Sequence, residues 1–206
     1  MTTERTRQSE YTLRFTEELV RVAQRLDLAA VDDVARALRA VRDGGGRVFC
    51  VGVGGGAANA SHAVCDFRGL AGLESYAPTD NSAALTAAIN DYGWRDSISR
   101  WLTGSRIGPS DALLVFSVGG GSEEPPVSVN LVEAVRTAKR ASAFVCGVVG
   151  PNGGETRRLA DVCITVPVSD PDHVTTHTEI FQSVVWHLLV THPELNRTRP
   201  HWEGLR

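Results

Sequence analysis

The sequence predicts an α/β protein with a parallel sheet covered by helices on both faces. Three observations predict it. Short, wholly apolar runs such as Ala112–Phe116 alternate with longer stretches of helical periodicity, as strands buried on two faces require. The 20 glycines gather just after those runs, at Gly54–Gly56, Gly119–Gly121 and Gly153–Gly154. A length of 206 residues, with 42% hydrophobic and 22% charged residues, suits one well-packed domain. That domain is placed at 1–192, with a tail over 193–206.

Residues 5–26 read as an amphipathic helix, with Tyr11, Phe15, Leu19, Val22 and Leu26 at spacings of three and four. A second helix carries Val31, Val34, Leu38 and Val41 on one face and stops at Gly44–Gly46. Together they span 5–43, ahead of the first strand. Arg47–Val53 is that strand, leading through Gly54–Gly56 into a helix that ends near Phe67. An extended piece follows at Leu73–Ala77, then helices at Ser82–Asn90 and Trp94–Leu102. Ala112–Ser117, Ala143–Val149 and Val162–Val166 read as strands. A helix at Val127–Arg140 and a short turn after Gly153-Gly154 connect them, and a helix at Thr178–Val190 closes the domain.

Composition excludes several functions. A net charge of −3 disfavours a general nucleic-acid or anionic-membrane binder. No apolar run approaches the roughly 20 residues of a membrane-spanning helix. The polar start MTTERTRQSE has no apolar signal core, which predicts a cytoplasmic location. Cys50, Cys65, Cys146 and Cys163 form no CxxC pair, so a zinc ribbon or thioredoxin-type motif is excluded. Three of them lie in apolar runs and read as buried thiols; Cys65 has polar neighbours. Lys139 is the only lysine among 21 basic residues and reads as an exposed helix end, so Schiff-base and Walker-type lysines have no candidate.

The glycine loops mark where a ligand binds. In an open α/β sheet, ligands sit beyond the carboxyl ends of the strands. Glycine there lets backbone N–H groups approach an anion. Gly52–Ala57 formally fits the dinucleotide pattern, with Glu74 downstream. Yet FRGLAGL before Glu74 lacks the apolar β-branched run of a second strand, and the helix after the loop carries His62 and Asp66. Four residues apart, these two share a helix face, a spacing that serves a metal or a proton-transfer pair. Glu179 and His187 form a second such pair in the closing helix, with Gln182 and Ser183 on the same broad side. That polar stripe either faces solvent or lines a site. His177 either caps this helix or points into the site. His173, His192 and His201 are expected in solvated loops, and Trp101 and Trp186 in packing roles.

Five segments carry a resemblance: VGVGGGAANASH at 51–62, TDNSAALTAAINDYGW at 79–94, LLVFSVGGGS at 113–122, VVGPNGG at 148–154 and TEIFQSVVWHLL at 178–189. From about residue 10 to 192 the chain resembles the sugar isomerase (SIS) domain family, and within it the phosphoheptose isomerases. The resemblance implies a three-layer α/β/α sandwich on a five-stranded parallel sheet, a homotetramer with sites between subunits, and a bound zinc or other divalent ion. It implies a sugar-phosphate substrate isomerised through an enediol. By the same resemblance His62, Asp66, Glu179 and His187 hold the metal, and Asp66, Glu179 and His187 move protons. Val53, Gly54 and Gly55, the pair Asn90–Asp91, and the loop Ser117, Val118, Gly119, Gly120, Gly121 and Ser122 meet the substrate. The loop departs from the family, reading SVGGGS where STSGNS is usual, with extra residues at Glu123–Pro125. Asp66 and Glu179 stand where the family has glutamate and glutamine. Two alternatives follow: a non-catalytic SIS module that docks another protein, or an isomerase of a different seven- or eight-carbon sugar phosphate.

Overall fold

A computed structural model describes residues 2–199, with side chains from Glu10 onward. Helices α1 (Thr2–Arg25) and α2 (Leu28–Asp43) precede strand β1 (Val48–Gly52). Then come α3 (Gly55–Gly69), β2 (Ser75–Tyr76), α4 (Ser82–Gly104), β3 (Ala112–Ser117) and α5 (Val129–Arg140). The chain ends with β4 (Phe144–Val149), α6 (Gly154–Leu159), β5 (Val162–Thr165) and α7 (Val174–Thr191). The five strands pair in parallel in the order β2-β1-β3-β4-β5. This is the three-layer α/β/α sandwich that the resemblance implies.

The alternation of side chains along each strand divides the core in two. Val48, Cys50, Leu114, Phe116 and Val148 face a cluster filled by α2, α3 and α7, with Leu38, Phe67 and Trp186 among its buried members. Phe49, Val51, Leu113, Val115 and Val145 face the other way, onto Ile98 and Leu102 of α4 and Leu131, Val135 and Ala138 of α5. Each large side chain so buried stabilises the fold by about 1.5–3 kcal/mol. Caps set two helix starts: Asp27 accepts from the Ala30 N–H, and Asn81 from the Ala84 N–H. The connection Arg47–Asp111 ties the lower ends of β1 and β3. The Asp111 carboxylate accepts from the Arg47 backbone and guanidinium and from the Gly108 N–H.

Several expectations are corrected. The extended piece at 73–77 forms only a two-residue edge strand. The two helices expected within 82–102 are present as the two halves of α4, separated by a kink where Gly93 takes φ 77° and ψ 169°, a backbone state that suits glycine. α7 begins at Val174 rather than Thr178, because a 3₁₀ turn at Pro171–His173, capped by Asp170, already bends the chain into it. His173 is buried rather than solvated. Cys50 and Cys146 are buried, Cys163 is half-buried and Cys65 is exposed. Burial pushes the Cys163 thiol up to about 11 and the Cys50 and Cys146 thiols higher, so none of these three is a ready nucleophile. Lys139 is exposed in the last turn of α5 and pairs with Asp161. In the tail, Leu195 is buried and the Arg197 and Thr198 N–H groups donate to Leu70 O. His201 lies outside the described residues. Among the described residues no helix is long and apolar enough to cross a membrane.

Candidate active site

The strand order reverses between β1 and β3: β2 follows β1 on one side, and β3 lies on the other. A crevice opens at such a reversal, beyond the carboxyl ends of the strands. The loops after β1 and β3, Val53–Gly54 and Val118–Ser122, rim it. Both are glycine-rich for a physical reason. The chain turns sharply at Gly54 (φ 59°), Gly120 (φ 72°) and Gly121 (φ 81°).

α3 and α7 start at this edge and run down the same face of the sheet, and their side chains interlock in register. At the top, the Glu179 carboxylate lies against Gly55. A Cβ added there would come within 2.4 Å of Glu179 Cδ and Oε2. One turn lower, Asn59 Nδ2 donates to Glu179 O and to Gln182 Oε1, both at 3.1 Å, and Trp186 Nε1 donates to Asn59 Oδ1 at 3.4 Å. Below that the His62 ring packs 4.6 Å from the Trp186 ring and 5.8 Å from the His187 ring. Sequence reasoning did not single out Asn59, whose amide fixes the two helices together.

At this last level His62, Asp66 and His187 bring one ligand atom apiece within 4.8 Å of one another. His62 and His187 are exposed, and Asp66 is half-buried. His187 Nδ1 lies 2.8 Å from Ser183 O, so Nδ1 carries the proton and donates it. Nε2 is left with a free lone pair, the arrangement that suits a metal ligand or a base. Two imidazoles and a carboxylate are a donor set that zinc and other divalent ions accept, and an open fourth position leaves room for substrate. The residues therefore fit a divalent ion.

The remaining expected residues are placed as follows. Glu179 is on α7 but stands apart from the three, two turns nearer the crevice. Val53 and Gly54 are exposed and Gly55 half-buried at the β1 loop. Ser117 is buried, and its Oγ accepts the Gly120 N–H at 3.0 Å. Ser122 Oγ donates to Glu124 O at 3.1 Å. Both hydroxyls of the β3 loop are thus engaged within it. The loop itself rests on α6, as the Glu155 and Thr156 N–H groups donate to Gly121 O and Gly120 O. Gln182 is fully buried and Ser183 lies beside His187, which settles the polar stripe: half of it joins the helices and half borders the cluster. Asn90 and Asp91 are exposed on α4, across the sheet, where Asn90 Nδ2 donates to Asp91 Oδ1 at 2.9 Å. The first half of α4 buries no residue among Ser82–Gly93, so within one chain this pair does not meet the cluster.

The added segment after the loop is held by charge. Glu123 accepts from Arg95 at 3.0 and 2.8 Å and also pairs with Arg136. Hydrogen bonds from these two guanidinium groups draw its carboxyl down to about 2. Arg136 also reaches Glu155, which pairs with Arg158.

An α/β protein with a glycine-rimmed switch point and this cluster behind it has known relatives. The chain belongs to the SIS domain family, whose model matches residues 10–150. It is 33% identical over 143 residues to the phosphoheptose isomerase of Rhodospirillum rubrum, covering 67% of this chain and 72% of that protein. It is 34% identical over 155 residues to the lincomycin biosynthesis protein LmbN of Streptomyces lincolnensis, covering 70% of this chain and 54% of that one. The solved phosphoheptose isomerase of Francisella tularensis superposes with a TM-score of 0.77 at 23% identity, over 92% of this chain and 97% of that one; it shares the fold.

Proposed function

We propose that this sugar-phosphate isomerase interconverts sedoheptulose 7-phosphate and D-glycero-D-manno-heptose 7-phosphate through a cis-enediol. The observation that carries the proposal is the convergence of His62, Asp66 and His187 on the seam between α3 and α7, two turns below the glycine-rimmed crevice. The named relatives supply the substrate class. In the forward direction a base takes a proton from C1, O2 gains a proton as the enediol forms, and O1 releases one as C2 is protonated. Asp66 or Glu179 serves as the base, and Ser183 O fixes the His187 ring, whose Nε2 lone pair takes a proton when no ion occupies it and serves as a ligand when one does. Positioned proton transfer of this kind contributes about 10²–10⁴-fold per group. His62 and Asp66, with His187, would hold zinc or another divalent ion, which when bound supplies polarisation of the carbonyl. Glu179, resting on Gly55, faces the crevice as a second carboxylate. The glycine backbone of 118–121 and the first turn of α5 grip the phosphate.

The exposed Asn90–Asp91 pair and the unburied half of α4 support a site completed by another copy of the chain, as in a homotetramer. Val184 and Leu188, apolar and exposed beside His187, support the same arrangement. Two observations favour a second substrate: the hydroxyl-poor loop with its charged neighbour Glu123 lies where the phosphate end would sit, and one relative is named a lincomycin biosynthesis protein. Under that reading the sugar is a different seven- or eight-carbon phosphate. The test is turnover of sedoheptulose 7-phosphate by purified protein with and without added zinc. Turnover lost in His187→Ala is expected. Folded protein inert under both conditions would remove the heptose assignment, and metal-free protein indifferent to His187→Ala would leave a non-catalytic module.

A further inference from the structure

A second cluster of metal-ligating side chains lies apart from the site just described, where α1 packs on the start of α7. Glu18 projects from the apolar stripe of α1, His173 is the residue before α7, and His177 is one turn into it. The three are 4%, 6% and 0% exposed. Both imidazoles converge on one carboxylate oxygen: His173 Nδ1 is 2.8 Å and His177 Nε2 3.1 Å from Glu18 Oε2. The other oxygen, Oε1, accepts the Asp170 N–H at 3.2 Å, which fixes the direction of Oε2. Asp170 Oδ2 lies 3.7 Å from His173 Nδ1 and puts a second carboxylate at the edge of the cluster. The Phe15 ring covers it, 5.4 Å from His173 and 4.5 Å from His177.

Charge leaves this cluster incomplete as it stands. A buried carboxylate normally has a cationic partner, yet no arginine or lysine pairs with Glu18 among the described residues. The His177 ring uses Nε2 alone; its Nδ1 is buried and has no partner. Asp170, half-buried, adds a second carboxylate at the edge of this spot.

We infer that Glu18, His173 and His177, with an Asp170 oxygen as the fourth donor, form a structural binding site for a divalent transition metal of the zinc class, which fastens α1 to α7. The donor set, imidazole and carboxylate in a closed and shielded position, is what zinc selects. His173 and His177 are spaced four apart at a helix start, a spacing that presents two imidazoles to one ion. All three ligand atoms lie within 4.8 Å of one another. Tetrahedral zinc with bonds of about 2.0–2.1 Å sets its donors roughly 3.3 Å apart. The present 2.8 and 3.1 Å contacts to Glu18 open by a few tenths of an ångström as the two shared protons leave, and Asp170 Oδ2, 3.7 Å from His173 Nδ1, closes by a similar amount. The site is independent of the proposed isomerase chemistry, since none of its ligands belongs to the His62 cluster.

The test uses the full chain carrying His62→Ala and His187→Ala, which silences the other cluster. The protein is stripped with chelator, titrated with zinc, and its metal counted after gel filtration. About one zinc per chain is expected, with a rise in melting temperature on zinc addition. Cobalt should give the intense visible bands of a four-coordinate site. Adding Glu18→Gln, or His177→Gln in a separate protein, should lower zinc affinity at least tenfold and abolish the bands. Folded double variant that retains no zinc would overturn the inference. So would zinc retained unchanged in both triple variants.

Discussion

Replacing Gly55 by alanine displaces Glu179 while leaving its own side chain intact. The added methyl would lie 2.4 Å from Cδ and Oε2 of Glu179 and 2.5 Å from Oε1, whereas ordinary contact begins at 3.4 Å. The carboxylate must therefore retreat by about 1 Å. Misplacement of a reacting group on this scale costs about 10²-fold in rate. The fold has little reason to suffer, because Gly55 opens α3 without a positive φ, a backbone state that alanine adopts freely. Glu179 is also the end of a flexible side chain. Gly69→Ala, in the same helix with open space around it, is the control. Sedoheptulose 7-phosphate turnover and urea unfolding, measured together, give the readout. Gly55→Ala should lose about 10²-fold in kcat/KM at nearly unchanged stability, while Gly69→Ala keeps its rate. Wild-type turnover in Gly55→Ala, or a loss matched by unfolding, would refute the assignment of Glu179 to the crevice.

Other outcomes follow from the same geometry. His62→Ala and His187→Ala remove exposed rings, so each should change unfolding free energy by no more than about 0.5 kcal/mol while turnover disappears; unfolding midpoints and rates measured side by side check this. Asp111→Ala leaves the Arg47 guanidinium half-buried without its partner and should cost about 3 kcal/mol in urea unfolding; a loss under 1 kcal/mol would contradict the pairing. Glu123 is depressed from 4.5 to about 2, so its pairing is complete above pH 4.5 and is lost as pH falls through the lower value. A carbon-13 titration of its carboxyl should show a midpoint well below 4; one near 4.5 would mean that the arginine clamp does not form in solution.

Much of the fold was legible because its signals are local. Wholly apolar runs such as Ala112–Phe116 can only be strands covered on both sides, and glycines after them mark the ligand edge. The edge strand Ser75–Tyr76 was overlong in the sequence reading because its length is set by pairing with Val48 and Phe49, not by its own residues. In the site, i,i+4 spacing brought His62 and Asp66 together, but the meeting with His187 depends on the α3–α7 register. That register is fixed by Asn59, an amide with no distinctive sequence signal. Burial of His173 was missed because its partner Glu18 lies 155 residues away. A signal existed: between Phe15 and Val22 at helical spacing, Glu18 interrupts the apolar stripe of α1. A charged residue on such a face calls for a buried partner.

Incubating the protein with sedoheptulose 7-phosphate in deuterium oxide and following the sugar by proton NMR tests proton transfer at the His62–Asp66–His187 cluster most directly. The account predicts an aldose product carrying deuterium at C2, formed by wild-type protein and absent with His187→Ala. An unlabelled, unchanged ketose in the presence of folded, zinc-supplied protein would contradict it.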